Sequence, residues 1–147
     1  MSRSKPPFHK HETGYSCVPA CLRMVIGSFG LDIPESELRA HCDSTIIGTD
    51  ALKAVEAARE LGFTGTAKYT LTLDDLREVT AAGHYPVAFV SLLPLDANPD
   101  IHAVVVVTLT KQDVLILDPL QGERRIPLQI FNTAWMMSRN LAILIQR

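Results

Sequence analysis

Cys17, His102 and Asp118 are residue types that together perform acyl transfer, although the chain separates them widely. A thiolate attacks carbonyl carbon, an imidazole moves the proton, and a carboxylate orients the imidazole. Cys17 follows Tyr15 and Ser16 at an expected helix start. The unpaired N–H groups and dipole there favour a thiolate and offer donors to an oxyanion. Packing is the other role open to a cysteine, and Cys21, on the face with Met24 and Val25, suits it better. His102 opens the apolar run 103–107 and reads either as a satisfied core histidine or as a general base at the end of a sheet. Asp118 precedes Pro119, and reads as a turn starter or as the orienting carboxylate.

Positioning these residues needs a helical first half and a stranded second half. Ser16 is placed to cap a helix beginning at Cys17, with Pro19 tolerated in its first turn and Gly30 ending the run. Residues 34–42 read as a short second helix. Thr49 opens a third, with Leu52, Val55, Ala58 and Leu61 on one face and Gly62 just past its end. Residues 64–69 read as a strand, and Thr72 to Asp75 as a capping-box start for a helix carrying Leu73, Leu76 and Val79. Residues 87–93, 101–109 and 113–117 are dense in branched apolar side chains and read as strands. A tight connection at 110–112 joins the last two as an antiparallel hairpin, which puts His102 and Asp118 on neighbouring strands at a register the pattern leaves open. A short strand at 124–126, a helix at 128–136 and a strand at 141–145 close the chain, with Trp135, Met136 and Met137 read as core-facing or groove-edge residues, the core being the expectation. Helices first and antiparallel strands second make an α+β arrangement, N-terminal helices packed on a C-terminal antiparallel sheet.

Bulk composition narrows the function classes. A chain of 147 residues is enough for one domain, expected to span 1–147 with 1–11 as an extended lead-in. Its hydrophobic fraction of 47% and charged fraction of 20% suit a globular protein. A net charge of -2 gives no electrostatic footprint for nucleic acid, and Arg3, Lys5 and Lys10 read as a solvated tail. The most apolar stretches, 86–95 and 101–109, fall short of the ~20 residues a spanning helix needs, so no membrane insertion is expected. Residues 2–15 lack the apolar core of a secretory signal. Three cysteines in this pattern suit a reducing cytoplasm, and no cofactor is expected.

Residues 15–25, YSCVPACLRMV, resemble the nucleophile segment of the C39 peptidases, papain-like bacterial cysteine proteases that process bacteriocin leaders. His102-Ala103-Val104-Val105 is similar to the family's histidine strand, and Leu117-Asp118-Pro119 to its aspartate segment, at the family's usual separation. Gly48-Thr49 suits the pattern as well, and the likeness runs from Glu12 to about Ile145. The resemblance implies a papain-like fold and a peptidase, with Cys17 as nucleophile, His102 as acid and base, and Asp118 as orienter. It implies a peptide or protein substrate and a partner protein that delivers it. Two positions depart from the family. Val18 follows Cys17 where a glycine is usual, and His11 stands where the family has a glutamine that helps bind the oxyanion. An imidazole N–H offers a similar hydrogen bond, so His11 is the expected oxyanion donor. Transporter-linked members carry membrane and nucleotide-binding domains that this sequence lacks, so the likeness is to a free-standing relative.

Two rival functions use some of the same residues. His9, His11, Cys17 and Cys21 supply two imidazoles and two thiols, the donors of a tetrahedral zinc site, although their spacing is not that of a common finger. A C39-like peptide-binding module that has lost turnover with the glutamine would keep the fold without the chemistry.

Overall fold

The computed structural model describes residues 4–42 and 50–147. The expectations placed on Gly48 and Thr49 lie outside the described residues. The elements run α1 (Cys17–Gly27), α2 (Glu35–His41), α3 (Ala51–Glu60), β1 (Ala67–Thr70), α4 (Leu73–Ala81), β2 (Val87–Ser91), α5 (Leu93–Asp96), β3 (Ile101–Leu109), β4 (Asp113–Asp118), β5 (Gly122–Pro127), α6 (Leu128–Met136) and β6 (Leu141–Leu144). The strands form one sheet in the order β1-β6-β2-β3-β4-β5, with every neighbouring pair antiparallel. This is the expected α+β arrangement, with one addition: both faces of the sheet are covered. Ala103, Val105, Leu115 and Leu117 pack with α1 and α3, while Val104, Val106, Val114 and Ile116 pack with Leu76 of α4 and Phe131 and Trp135 of α6. Burial on both faces is why β3 reads as an unbroken apolar run rather than an alternating one.

The hairpin between β3 and β4 forms as expected, closed by the Thr110 N–H donating to the Asp113 carbonyl at 2.9 Å. Its register pairs Val105 with Leu117 and Val106 with Ile116. Continued past the last pair, that register brings Asp118 opposite Val104, on the same face as His102 and diagonal to it. The register thus gives these two side chains a route to each other.

Helix α1 is buried almost all round, as a helix between sheet and neighbouring helices must be. Ser16 occupies its N-cap position, but the expected side-chain cap does not form. The hydroxyl instead donates to the Thr13 carbonyl and accepts the Thr13 N–H, at 3.2 and 3.1 Å. The helix start therefore keeps its donors for another use. The lead-in lies against α1 through Pro7: a Cβ on Gly27 would come within 2.8 Å of the Pro7 ring.

In α4 the capping box forms in full between Thr72 and Asp75. Helix α3 is capped by Asp50, whose carboxylate accepts the Leu52 N–H at 3.0 Å. Its buried face is Ala51, Ala54, Val55, Ala57 and Ala58, and Leu52 is 47% exposed, contrary to expectation. Met136 and Met137 are also exposed, because α6 turns Phe131, Ala134 and Trp135 inward. Among the described residues, no helix is long and apolar enough to cross a membrane.

Candidate active site

Asp118 ends β4 and is 1% exposed. A carboxylate so buried needs its oxygens satisfied. Pro119 has no N–H, so the first backbone donors available are those of Leu120 and Gln121, which reach Asp118 Oδ1 at 2.8 and 3.3 Å. His102 Nε2–H donates to the same oxygen at 2.7 Å. Arg124 of β5 donates through Nη1 to Oδ2 at 3.1 Å. Burial disfavours the Asp118 charge, but the hydrogen bond and positive charge of His102, the Leu120 N–H and Arg124 outweigh it and hold the carboxyl pKa down at about 2.

His102, at the start of β3, is buried apart from a small edge. Burial works against its charged form as well. The hydrogen bonds to Asp118 and Cys17, with their negative charge, more than offset this and raise the imidazole pKa to about 9. Asp118 takes Nε2, which leaves Nδ1 as the nitrogen available to the sulfur of Cys17. Cys17, half-buried in the first turn of α1, shares a cleft of about 550 Å³ with His11, His102, Asp100, Ile101 and Leu120. Structure thus brings together the three residues that the sequence singled out.

His11 reaches the same cleft from the lead-in. Its backbone N–H donates to the Pro119 carbonyl at 2.9 Å, so the turn that carries Asp118 also anchors His11. The next N–H, of Glu12, donates to both oxygens of the buried Glu35 carboxylate at 3.1 Å, and Arg39 Nη1 grips Glu35 at 2.7 Å. His11 Nδ1 is buried without a hydrogen-bond partner. Burial first, then the positive charge of His102, lowers the His11 pKa below its ordinary 6.5, against the opposing pull of Glu35. The ring is neutral at neutral pH and keeps one N–H donor.

The zinc set is not assembled. Cys21 lies in the core, its thiol pKa pushed well up by burial, and His9 sits beside Asp32 at 4.0 Å. Among the described residues, no group of three or more ligating side chains is placed to hold a metal ion. The sequence reading missed Arg124 and its second partner, Asp96, which accepts from Arg124 Nη2 at 2.9 Å. They come from elements far apart in the chain, and no local motif joins them.

A model of the Peptidase C39 family matches residues 5–147. The transport/processing ATP-binding protein ComA of Streptococcus pneumoniae is 34% identical over 122 residues, which is 81% of this chain and 16% of ComA. The chain thus spans about one sixth of the length of that curated relative. Among solved structures, the peptidase domain of Streptococcus ComA, described as a bi-functional ABC transporter of a quorum-sensing pathway, superposes with a TM-score of 0.82 at 24% identity, covering 98% of this chain and 100% of that one. A double glycine motif protease from an AMS/PCAT transporter, solved with its leader peptide, gives 0.76 at 20% identity, covering 97% and 91%. A Bacillus anthracis protein described as C39-like gives 0.78 at 16% identity, covering 96% and 94%. The chain has the fold of those peptidase domains, and it belongs to the peptidase C39 family.

Proposed function

We propose that the protein is a cysteine peptidase that cleaves a peptide substrate through Cys17, His102 and Asp118, with residues 1–147 acting as one catalytic unit. One observation carries the reading: a single imidazole stands between a buried carboxylate and the sulfur in the first turn of α1, beside an open cleft. Cys17 sulfur bonds to the carbonyl carbon as the π pair moves onto oxygen. His102 holds a proton across the neutral range and gives it to the amide nitrogen as the C–N bond breaks. The neutral imidazole then takes a proton from water, whose oxygen attacks the thioester. The C–S bond breaks, the acid product leaves, and thiolate and imidazolium are restored.

Asp118 fixes the ring orientation and balances the imidazolium charge. The developing oxyanion meets the uncapped N–H groups at the start of α1. His11 supplies a second donor in place of the family glutamine, and its neutral ring acts as a fixed dipole needing no proton transfer. The leader-peptide complex of the AMS/PCAT protease supports a finer substrate, a leader peptide with a double glycine motif. A partner protein that delivers it is part of the same proposal. Free cysteines throughout suit a reducing cytoplasm as its place of action.

Synthetic peptides carrying a Gly-Gly pair, followed by mass spectrometry, test the reading. The parent protein cuts them, Cys17→Ala does not, and brief iodoacetamide treatment labels Cys17 ahead of Cys21 and Cys42. Undiminished cleavage by Cys17→Ala, or labelling of the buried thiols first, overturns it. A parent that binds these peptides without cutting any peptide bond is the inactive binding module instead.

A further inference from the structure

We propose that Arg124 is a positioning residue that shares the Asp118 carboxylate with His102 and thereby keeps the imidazolium acidic enough to protonate a leaving amine. The inference rests on the peptidase reading for its part in turnover. Its geometry is that of a divided carboxylate. Asp118 Oδ1 takes His102 and two backbone N–H groups, while Oδ2 takes Arg124 Nη1 at 3.1 Å. Arg124 is fixed from its other side by Asp96, through Nη2 at 2.9 Å and Nη1 at 3.2 Å. The guanidinium side chain is 19% exposed and Asp118 is 1% exposed, so solvent and salt screen this contact weakly.

Three donors on Oδ1 hold the carboxylate in place without Arg124. What the arginine adds is positive charge on the second oxygen. Without it, the whole Asp118 charge acts on His102, and the imidazolium holds its proton more tightly. A general acid already raised to about 9 would move further from neutral pH and transfer its proton less readily. Among the described residues, the charged and titratable groups around the pair are Cys17 and Cys21 of α1, Tyr15 before it, His11 of the lead-in, Arg124 of β5, and Asp96 and Asp100 between β2 and β3. Of these, Arg124 is the permanent cation.

The test is the titration of His102, followed by NMR of its ring in the full chain, beside peptide kinetics against pH. In Arg124→Gln the midpoint rises by roughly half to one pH unit. Turnover at neutral pH falls several-fold with little change in KM. Arg124→Lys keeps the charge and stays near the parent midpoint. Asp96→Asn leaves Arg124 less neutralised, so the midpoint moves downward, a sign that mere loosening of the segment does not produce. An unchanged or lower midpoint in Arg124→Gln overturns the proposal; should that variant not fold, an unchanged or higher midpoint in Asp96→Asn does so. A parent that cuts no peptide defeats the peptidase reading alone, because the His102 midpoint does not depend on turnover.

Discussion

On the β3–β4 side of the cleft, the Asp118 carboxylate accepts four hydrogen bonds and leaves neither oxygen unused. On the α1 side the balance is reversed: Ser16 turns away from the helix start, and His11 Nδ1 is buried without a partner. Buried polar groups are normally paired, and leaving one unmade costs about 1–3 kcal/mol. A fully satisfied network resists movement, which suits a base that must keep one orientation. The uncapped N–H groups at the start of α1 suit an oxyanion that exists only during turnover, because they are already aimed when charge develops.

The largest effects belong to the satisfied side. His102→Ala removes the group that moves both protons, and turnover falls about 10⁴-fold or more. Asp118→Asn keeps the shape but loses the charge, and turnover falls roughly 100-fold less than that. Asparagine is the cleaner replacement, since Asp118→Ala would take the acceptor from His102 and two backbone N–H groups and leave Arg124 with Asp96 alone. Steady-state kinetics of both variants, with circular dichroism as the folding check, measure the ranking. Equal losses would mean that the Asp118 charge is as necessary to turnover as the imidazole itself.

On the open side, His11→Ala removes one oxyanion donor, worth roughly 3–4 kcal/mol of barrier, or about 10²–10³-fold in kcat. His11→Gln restores much of it, while the alkylation rate of Cys17 stays unchanged in both. If His11→Ala turns over substrate as fast as the parent, the His11 ring has no part in the reaction.

The sequence made some of this legible and not the rest, for physical reasons. Branched apolar runs exposed β2, β3 and β4, and the short link at 110–112 placed His102 and Asp118 on adjacent strands. Their exact juxtaposition depended on a register that a one-residue slip would have inverted. In α3 the expected face followed the large residue, Leu52, whereas the phase that packs is set by small ones at Ala51, Ala54, Val55 and Ala58. Helix α5 is a single turn, too short for periodicity to register. Arg124 and Asp96 meet only after the sheet has formed, so no local pattern announces them.

A smaller, pH-dependent effect follows from the His102–Asp118 bond. His102 has a folded pKa of about 9 against an ordinary 6.5, so its contribution to stability is complete below 6.5 and is lost as pH rises through about 9. Asp118, at about 2 against 3.8, gives the same bond from the other partner: present above 3.8 and lost as pH falls through about 2. The parent Tm therefore declines as pH rises from 6.5 to about 9, and turnover declines at the upper end of that window as the imidazolium is lost. Melting curves of His102→Ala stay flatter across that window. A parent Tm that climbs there would contradict the ion pair.

The smallest expected effect separates the helix start from the turn before it. An N-cap serine replaced by alanine usually loses about 1 kcal/mol by leaving helix donors bare. In this chain the α1 donors are already uncapped, and the Ser16 hydroxyl serves Thr13 instead. Ser16→Ala should therefore cost a similar amount, roughly 1 kcal/mol, by leaving the Thr13 N–H unpaired in a partly buried turn. Turnover should stay within about twofold, because neither the oxyanion donors nor the Cys17 sulfur loses a partner. Denaturant melts and steady-state kinetics on one variant read the two effects separately. A loss of turnover as deep as that of His11→Ala would place the hydroxyl inside the reaction, and the contrast between a spent and an unspent side of the cleft would fail there.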